Sequence, residues 1–325
     1  MRDLLRAALA LLPLLSALPA AAQGFPESGR PITVIVPYPP GGGSDVTARA
    51  LAPHLSRELG VPVVIMNVAG AGSQVGMTRL AQSRPDGYTV AYALWPSIFT
   101  LYLDASRRTP FSRESFASLA MHLIDPGAIL VPAASPILSF ADLVAAARAR
   151  PETVTMADPG ILGWEHISSI QLGRALGISF NQIHFQGAGP SLTALIAGQI
   201  DVTMTSGGSA MAQTRAGTAR ALAVLSDRSS QFLPGVPTLA SLGTPLHAGS
   251  ARGFVAPAGT PEPVIRRLAE AMEWAITSEV HREQMQRMGL EVTFMGPVEL
   301  DAYWAREEAA MRPIVEQIAR EGRNN

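Results

Sequence analysis

"RPITVIVPYPPGGGSDVTARALAPHL", residues 30–55, sets a β-branched run against a glycine turn and then a helical pattern. Residues 32–36 predict a strand that stops at Pro37. Ser44 is placed to cap the helix that follows, where Val46, Ala50, Leu51, Leu55 and Leu59 recur at helical spacing up to Gly60. Pro53 falls inside that helix and removes one backbone hydrogen bond, so a kink is expected there. The three successive glycines, Gly41, Gly42 and Gly43, let backbone N–H groups approach an anion at the helix N-terminus, whose partial positive charge favours it. A flexible strand-to-helix loop is the plain alternative for the same residues.

The same unit repeats outward. Residues 61–67 predict a second strand, 70–76 a second glycine turn, 77–82 a helix and 88–93 a third strand. Strands alternating with helices at this spacing imply an open parallel sheet, in which loops at the carboxyl ends of strands line the ligand crevice. Both glycine turns follow strands, so both are expected to face one cleft. Short strands are expected again at 129–131, 154–157, 183–185, 201–205 and 221–225, with helices at 140–150, 166–176 and 190–197 between them. Proline and glycine are dense over 234–263, where a return crossing is expected. Helices at 262–277, 279–288 and 299–321 close the chain. The simplest reading is α/β in two lobes: 23–127 with 253–325 as lobe 1, and 128–252 as lobe 2. Each is expected to carry a mostly parallel sheet flanked by helices.

Composition narrows the function. The chain has 325 residues, and at about 150 per domain two domains are expected. With 25 basic against 26 acidic residues the net charge is −1, which argues against nucleic acid as a partner. Cysteine is absent, excluding disulfides, thiolate catalysis and cysteine zinc sites. Lysine is absent too, which excludes Schiff-base enzymes and the lysine of a phosphate-binding Walker loop. A hydrophobic share of 47% beside 16% charged residues suffices for a large core and is too apolar for disorder. At the N-terminus, Arg2 and Arg6 precede an apolar run over 7–18, then Pro19 and Ala20-Ala21-Ala22. That is the layout of a secretory signal peptide, residues 1–22, cleaved after Ala22. A membrane anchor is the alternative, but the run is shorter than the roughly 20 residues a spanning helix needs. The mature product is therefore expected in the periplasm.

Catalytic patterns are thin. Gly70, Gly72 and Gly76 form GxGxxxG after a strand, one residue off the dinucleotide fingerprint, and the next strand ends Ala93-Leu94-Trp95 without the acid that would bind a ribose. Neither GxSxG nor HExxH occurs, and the histidines at 54, 122, 166, 184, 247 and 281 are scattered. His166 and His184 are expected to approach one another as structural or pocket-lining groups rather than as a metal pair. No catalytic set, no metal and no cofactor is expected.

The opening segment quoted above resembles the start of the tripartite tricarboxylate transporter solute receptors, also called the Bug family. The resemblance continues through "GVPVVIMNVAGAGSQVGMTRLAQSRPDGYTVAYA", "SLTALIAGQIDV", "ARALAVLSDRSSQFLPGVPTLASLG" and "GFVAPAGTPEPVIRRL", in the family's order. It implies a two-lobed periplasmic binding protein (type II, Venus-flytrap) without catalysis. It would hold a small carboxylate through backbone amides and ordered water rather than a salt-bridging arginine, and act as a monomer that passes ligand to integral-membrane transporter subunits. By matching position, lobe 1 contacts are Tyr38, Pro40, Gly42, Gly43, Ser44, Asp45, Gly72 and Ser73. Lobe 2 contacts are Asp158, Gly160, Gly163, Trp164, His166, Phe185, Gly187, Thr205 and Ser206. Asp45 has a second reading as a helix-stabilising acid in the first turn. Trp164 stands where the family has a small hydroxyl residue, Gln186 where it has lysine, Thr205 where it has aspartate, and Trp95 where small residues are common. These departures imply a more apolar pocket, suited to an aromatic or hydrophobic carboxylate, unless Trp164 packs beneath its helix. A secreted nucleotide-dependent α/β enzyme and a ligand sensor are the alternatives.

Overall fold

A computed structural model describes residues 24–321, so the expected signal peptide and its cleavage site lie outside the described residues. The opening stretch folds as read: β1 (Ile32–Val36), the glycine turn, then α1 (Gly43–Leu59) closed by Gly60 in the left-handed region at φ 69°. Two details differ. Gly42, in extended conformation, is the N-cap and no side chain caps the helix, because Ser44 already lies inside the first turn. Helix α1 also runs through Pro53 as one element.

The chain continues through β2 (Val63–Asn67), a short 3-10 turn (Ala71–Ser73), α2 (Gln74–Ala81), β3 (Thr89–Trp95) and α3 (Ser97–Leu103). Then come β4 (Phe116–Pro132), α4 (Phe140–Ala149), β5 (Thr155–Asp158), α5 (Trp164–Leu176), β6 (Asn181–His184), α6 (Ala188–Ile196), β7 (Val202–Ser206), α7 (Gly207–Arg215) and β8 (Ala219–Val224). The last elements are β9 (Gly249–Pro257), α8 (Glu262–Thr277), α9 (Glu279–Arg287), β10 (Val292–Met295) and α10 (Pro297–Glu321).

Parallel pairing joins β1 to β2 and β3, and β5 to β6 and β7. Between these two parallel sets run antiparallel strands. β9 pairs with β3 and with β4, and β4 pairs with β10 near its start and with β7 and β8 near its end. The sheet order β2-β1-β3-β9-β4-β7-β5-β6 therefore makes β9 and β4 the connection between the two halves. The antiparallel members have a physical origin. A chain that must return between two parallel sets without another helical crossover does so by running the opposite way.

Separate cores form on the faces of this sheet. Ile32, Val34, Leu51, Leu55, Phe254, Leu268 and Met272 pack β1 and β9 against α1 and α8. Ile129, Val131, Leu143, Met156, Leu172 and Met204 pack the second half. A third cluster joins β3, α3 and α10 to Leu162 and Ile167 at the start of α5. Among the described residues no helix is long and apolar enough to cross a membrane.

Candidate functional site

The turn after β1 and the turn after β2 meet, as their positions after parallel strands require. The Asn67 amide at the end of β2 donates to the Tyr38 carbonyl at 3.1 Å, and burial raises the pKa of the Tyr38 phenol. Gly76 permits this approach, since a Cβ there would lie 2.6 Å from Pro37 Cβ and 2.7 Å from the Val68 carbonyl. Ala71, Gly72 and Ser73 all carry positive φ, and the Arg107 guanidinium donates to the Ala71 carbonyl at 3.2 Å.

Asp45 is 3% exposed and fully engaged by its own half. It accepts from the Gly41 N–H at 2.9 Å, from Arg49 Nε at 2.9 Å and from Asn67 Nδ2 at 2.9 Å. Burial alone would raise its carboxyl, but these donors hold it below its ordinary value. Asp45 thereby fixes the glycine turn. Pro40, Gly42 and Gly43 are exposed, and Ser44 is buried. The N–H groups of the first turn of α1 have no side-chain cap, which leaves a helix N-terminus open to an anion.

In the second half, Asp158 ends β5 and is buried. It accepts from the Gly160 N–H at 2.9 Å and binds His184 Nδ1 at 2.8 Å. The His166 and His184 rings stand edge to face with centroids 4.7 Å apart, and the Leu162 N–H donates to His166 Nδ1 at 3.1 Å. Burial lowers the His166 pKa, so its ring is neutral at pH 7. The donor atoms of Asp158, His166 and His184 all lie within 4.8 Å of one another, a set whose chemistry would suit a divalent ion of the zinc type. Glu165, beside them, is pushed up to about 8 by burial and the neighbouring Asp158 charge. Phe185 N–H and Gly187 N–H bond back to the Asp158 and Pro159 carbonyls at 2.9 and 3.0 Å, bringing Gly160, Phe185 and Gly187 together. Thr205 pairs with Ala128 and Ser206 with Gly127 at the end of β7, and Ser206 caps α7 by accepting from the Ser209 N–H. Gly163 is the N-cap of α5. No hydrogen bond links the first set to the second among the described residues.

Both tryptophans are buried, Trp164 in keeping with the alternative that it packs into the core. Trp95 is 1% exposed and stacks edge-on against Trp304, with ring centroids 5.3 Å apart. Trp164 is 7% exposed and lies over Gly127, where a Cβ would come within 2.5 Å of the indole. Both serve cores, because a glycine opposite each ring (Gly253 for Trp95, Gly127 for Trp164) makes a slot the indole fills. The part of the expectation of an aromatic ligand that rests on these two rings therefore loses its support, while the replacements at Gln186 and Thr205 stand.

A residue absent from the sequence expectations also stands at the turn before α1. Arg252 in β9 lies beside the glycine turn, with Nη2 3.2 Å from the position a Cβ would take on Gly43. Its Nε and Nη1 are buried without a hydrogen-bond partner. The signal was present as a charged residue inside the apolar run "SARGFVAP", which a reading as a return crossing hides.

An α/β sheet whose two parallel sets are joined by antiparallel strands, with glycine turns and helix N-termini at the strand ends, defines a two-lobed periplasmic binding protein. The family model described as the tripartite tricarboxylate transporter family receptor, TctC, matches residues 47–320, and the chain belongs to that family. Protein BugT of Bordetella pertussis (strain Tohama I) is 31% identical over 293 residues, covering 90% of this chain and 89% of that protein. A TctC solute-binding protein from Polaromonas, without ligand, superposes with a TM-score of 0.79 at 28% identity, covering 90% of this chain and all of the other. MatC from Rhodopseudomonas palustris with bound malate superposes with a TM-score of 0.74 at 26% identity, covering 91% of this chain and 100% of that chain.

Proposed function

We propose that this protein is an exported receptor that captures a small organic carboxylate between its two halves and delivers it to a membrane transporter of the tripartite tricarboxylate type. The observation that carries the reading is the uncapped N-terminus of α1 behind Gly41, Gly42 and Gly43, held in place by Asp45. Such a turn offers N–H donors and the positive end of a helix to a carboxylate without a covalent step. The malate bound by MatC, a relative of like fold, supports a carboxylate as the ligand. The sequence supports export, through residues 1–22, and a periplasmic site of action. The lobes are drawn at 23–127 with 253–325, and at 128–252. Closure of one on the other would trap the ligand, with the closed form favoured by contacts to both.

The test is a thermal-shift screen of residues 23–325 against organic acids and nicotinamide nucleotides. A ligand at 100 times its Kd should add about 2.7 kcal/mol of stability. Stabilisation by carboxylates and not by nucleotides is expected. A shift with nucleotide alone would replace the receptor reading with that of an enzyme.

A further inference from the structure

We infer that Arg252, with Ser250 and the N-terminus of α1, forms the anchor for a ligand carboxylate, so that this receptor selects anionic acids over their neutral amides. The inference rests on the receptor reading above.

Arg252 occupies a position where a cation is hard to keep. β9 lies between β3 and β4, with Arg252 opposite Leu94 on one side and Leu123 on the other. Its Nε and Nη1 are shut off from solvent, and neither finds an acceptor. It makes no ion pair among the described residues. The residue as a whole is part-buried, so what stands unsatisfied is these two buried N–H donors, each of which costs free energy while its hydrogen bond is unmade. Its charge acts on Tyr38, Tyr92, His122 and Asp125, the groups that face it from the β1–α1 turn, β3 and β4. Of these only Asp125 is acidic. That carboxylate accepts from the Gly207 N–H at 3.0 Å, and burial pushes its pKa up to about 6.

A second observation points the same way. Ser250 is 3% exposed and its hydroxyl has no partner. Being two residues from Arg252 on an unbroken strand, it sits on the same face of β9. Two unsatisfied polar groups thus share one face, at the end of the sheet where Gly43 opens α1. Gly43 leaves the space that a side chain would take from the guanidinium. A carboxylate there would accept from the planar guanidinium fork and from first-turn N–H groups together. Strand β9 belongs to both halves through its neighbours, so an anchor on it would be fixed while the halves move.

The experiment uses residues 23–325 as wild type, R252M and R252K, each titrated calorimetrically with succinate, malate and adipate and with the corresponding diamides. Ligand-free melting temperatures are measured beside them. Wild type is expected to bind at least one acid and none of the diamides. R252M is expected to lose about 10- to 100-fold in affinity for that acid. Its ligand-free melting temperature should equal or exceed that of wild type, because two buried donors without acceptors are gone. A structural cation would give the opposite pattern, a lower melting temperature with affinity intact, and would overturn the inference. If R252M does not fold, R252K decides. It keeps the charge but not the fork, so a several-fold weaker acid complex supports the anchor and undiminished affinity refutes it. Wild type binding none of the acids would bring down the receptor reading and the anchor together, whereas binding that ignores position 252 would bring down the anchor alone.

Discussion

Glu165 carries a carboxyl that burial and the Asp158 charge push up to about 8, so it stays protonated at neutral pH. In the unfolded chain the same group ionises near its ordinary value of 4.5. Between those values the folded protein holds more protons than the unfolded one, so stability falls as pH rises from about 5 to about 8. The loss attributable to this residue is on the order of 4 kcal/mol. Glu165→Gln keeps the shape and removes the titration. Urea denaturation at pH 5, 7 and 9 should show the variant gaining on wild type at the alkaline end, and parallel curves would mean that Glu165 ionises freely. Asp45 is the reverse case, a buried acid with three donors. Asp45→Ala leaves the Gly41 N–H and Asn67 amide without their acceptor and is expected to cost about 2 kcal/mol, since Arg49 is half exposed and contributes little. A shift of the urea midpoint at unchanged slope is the readout, and an unchanged midpoint would show that the turn holds itself.

Helix α1 tolerates Pro53 in its interior, exposed and without a break in the element. Proline there gives up the N–H that would bond the Arg49 carbonyl, while restricting the unfolded chain. Pro53→Ala regains the bond and loses the restriction, for a net gain of about 1–2 kcal/mol. A melting temperature no higher than wild type would show that the helix has already relaxed around the ring. The same helix shows why much of the fold was legible. Its apolar spacing and closing Gly60 are local signals, and so are the β-branched runs of β1 and β2. β4 was not legible at its full length. Asp125-Pro126-Gly127 in its middle looks like a turn, yet those residues pair with Gly249, Ser250 and Ser206 in long-range ladders. β9 was hidden for a similar reason, in a stretch dense with proline and glycine. The site divides along the same line. The glycine turn at Gly41 to Gly43 shows in the local pattern and Asp158 to His166 come only through the family resemblance, whereas Arg252 stands beside the turn through long-range strand pairing that no local pattern shows.

Two halves linked by β4 and β9 could unfold separately, and the packing decides against that. Leu162, just before α5, and Ile167, in its first turn, sit in one cluster with Trp95, Phe99 and Leu101 of the first half and with Trp304, Met311 and Ile314 of α10. Ile167 is 0% exposed there, so burial of its side chain stabilises both halves at once. Helix α10 adds a polar tie through Arg174 and Gln317. A protein stitched in this way should melt in one calorimetric transition, with a van't Hoff enthalpy equal to the calorimetric one. Ile167→Ala removes the side chain from the shared cluster and is expected to cost about 2–4 kcal/mol. Because the cluster belongs to both halves, the whole transition should move down together. Two resolved transitions, with only the lower one displaced by the substitution, would show instead that the halves are independent bodies and that the α3–α5–α10 contact is a surface between them rather than a shared core.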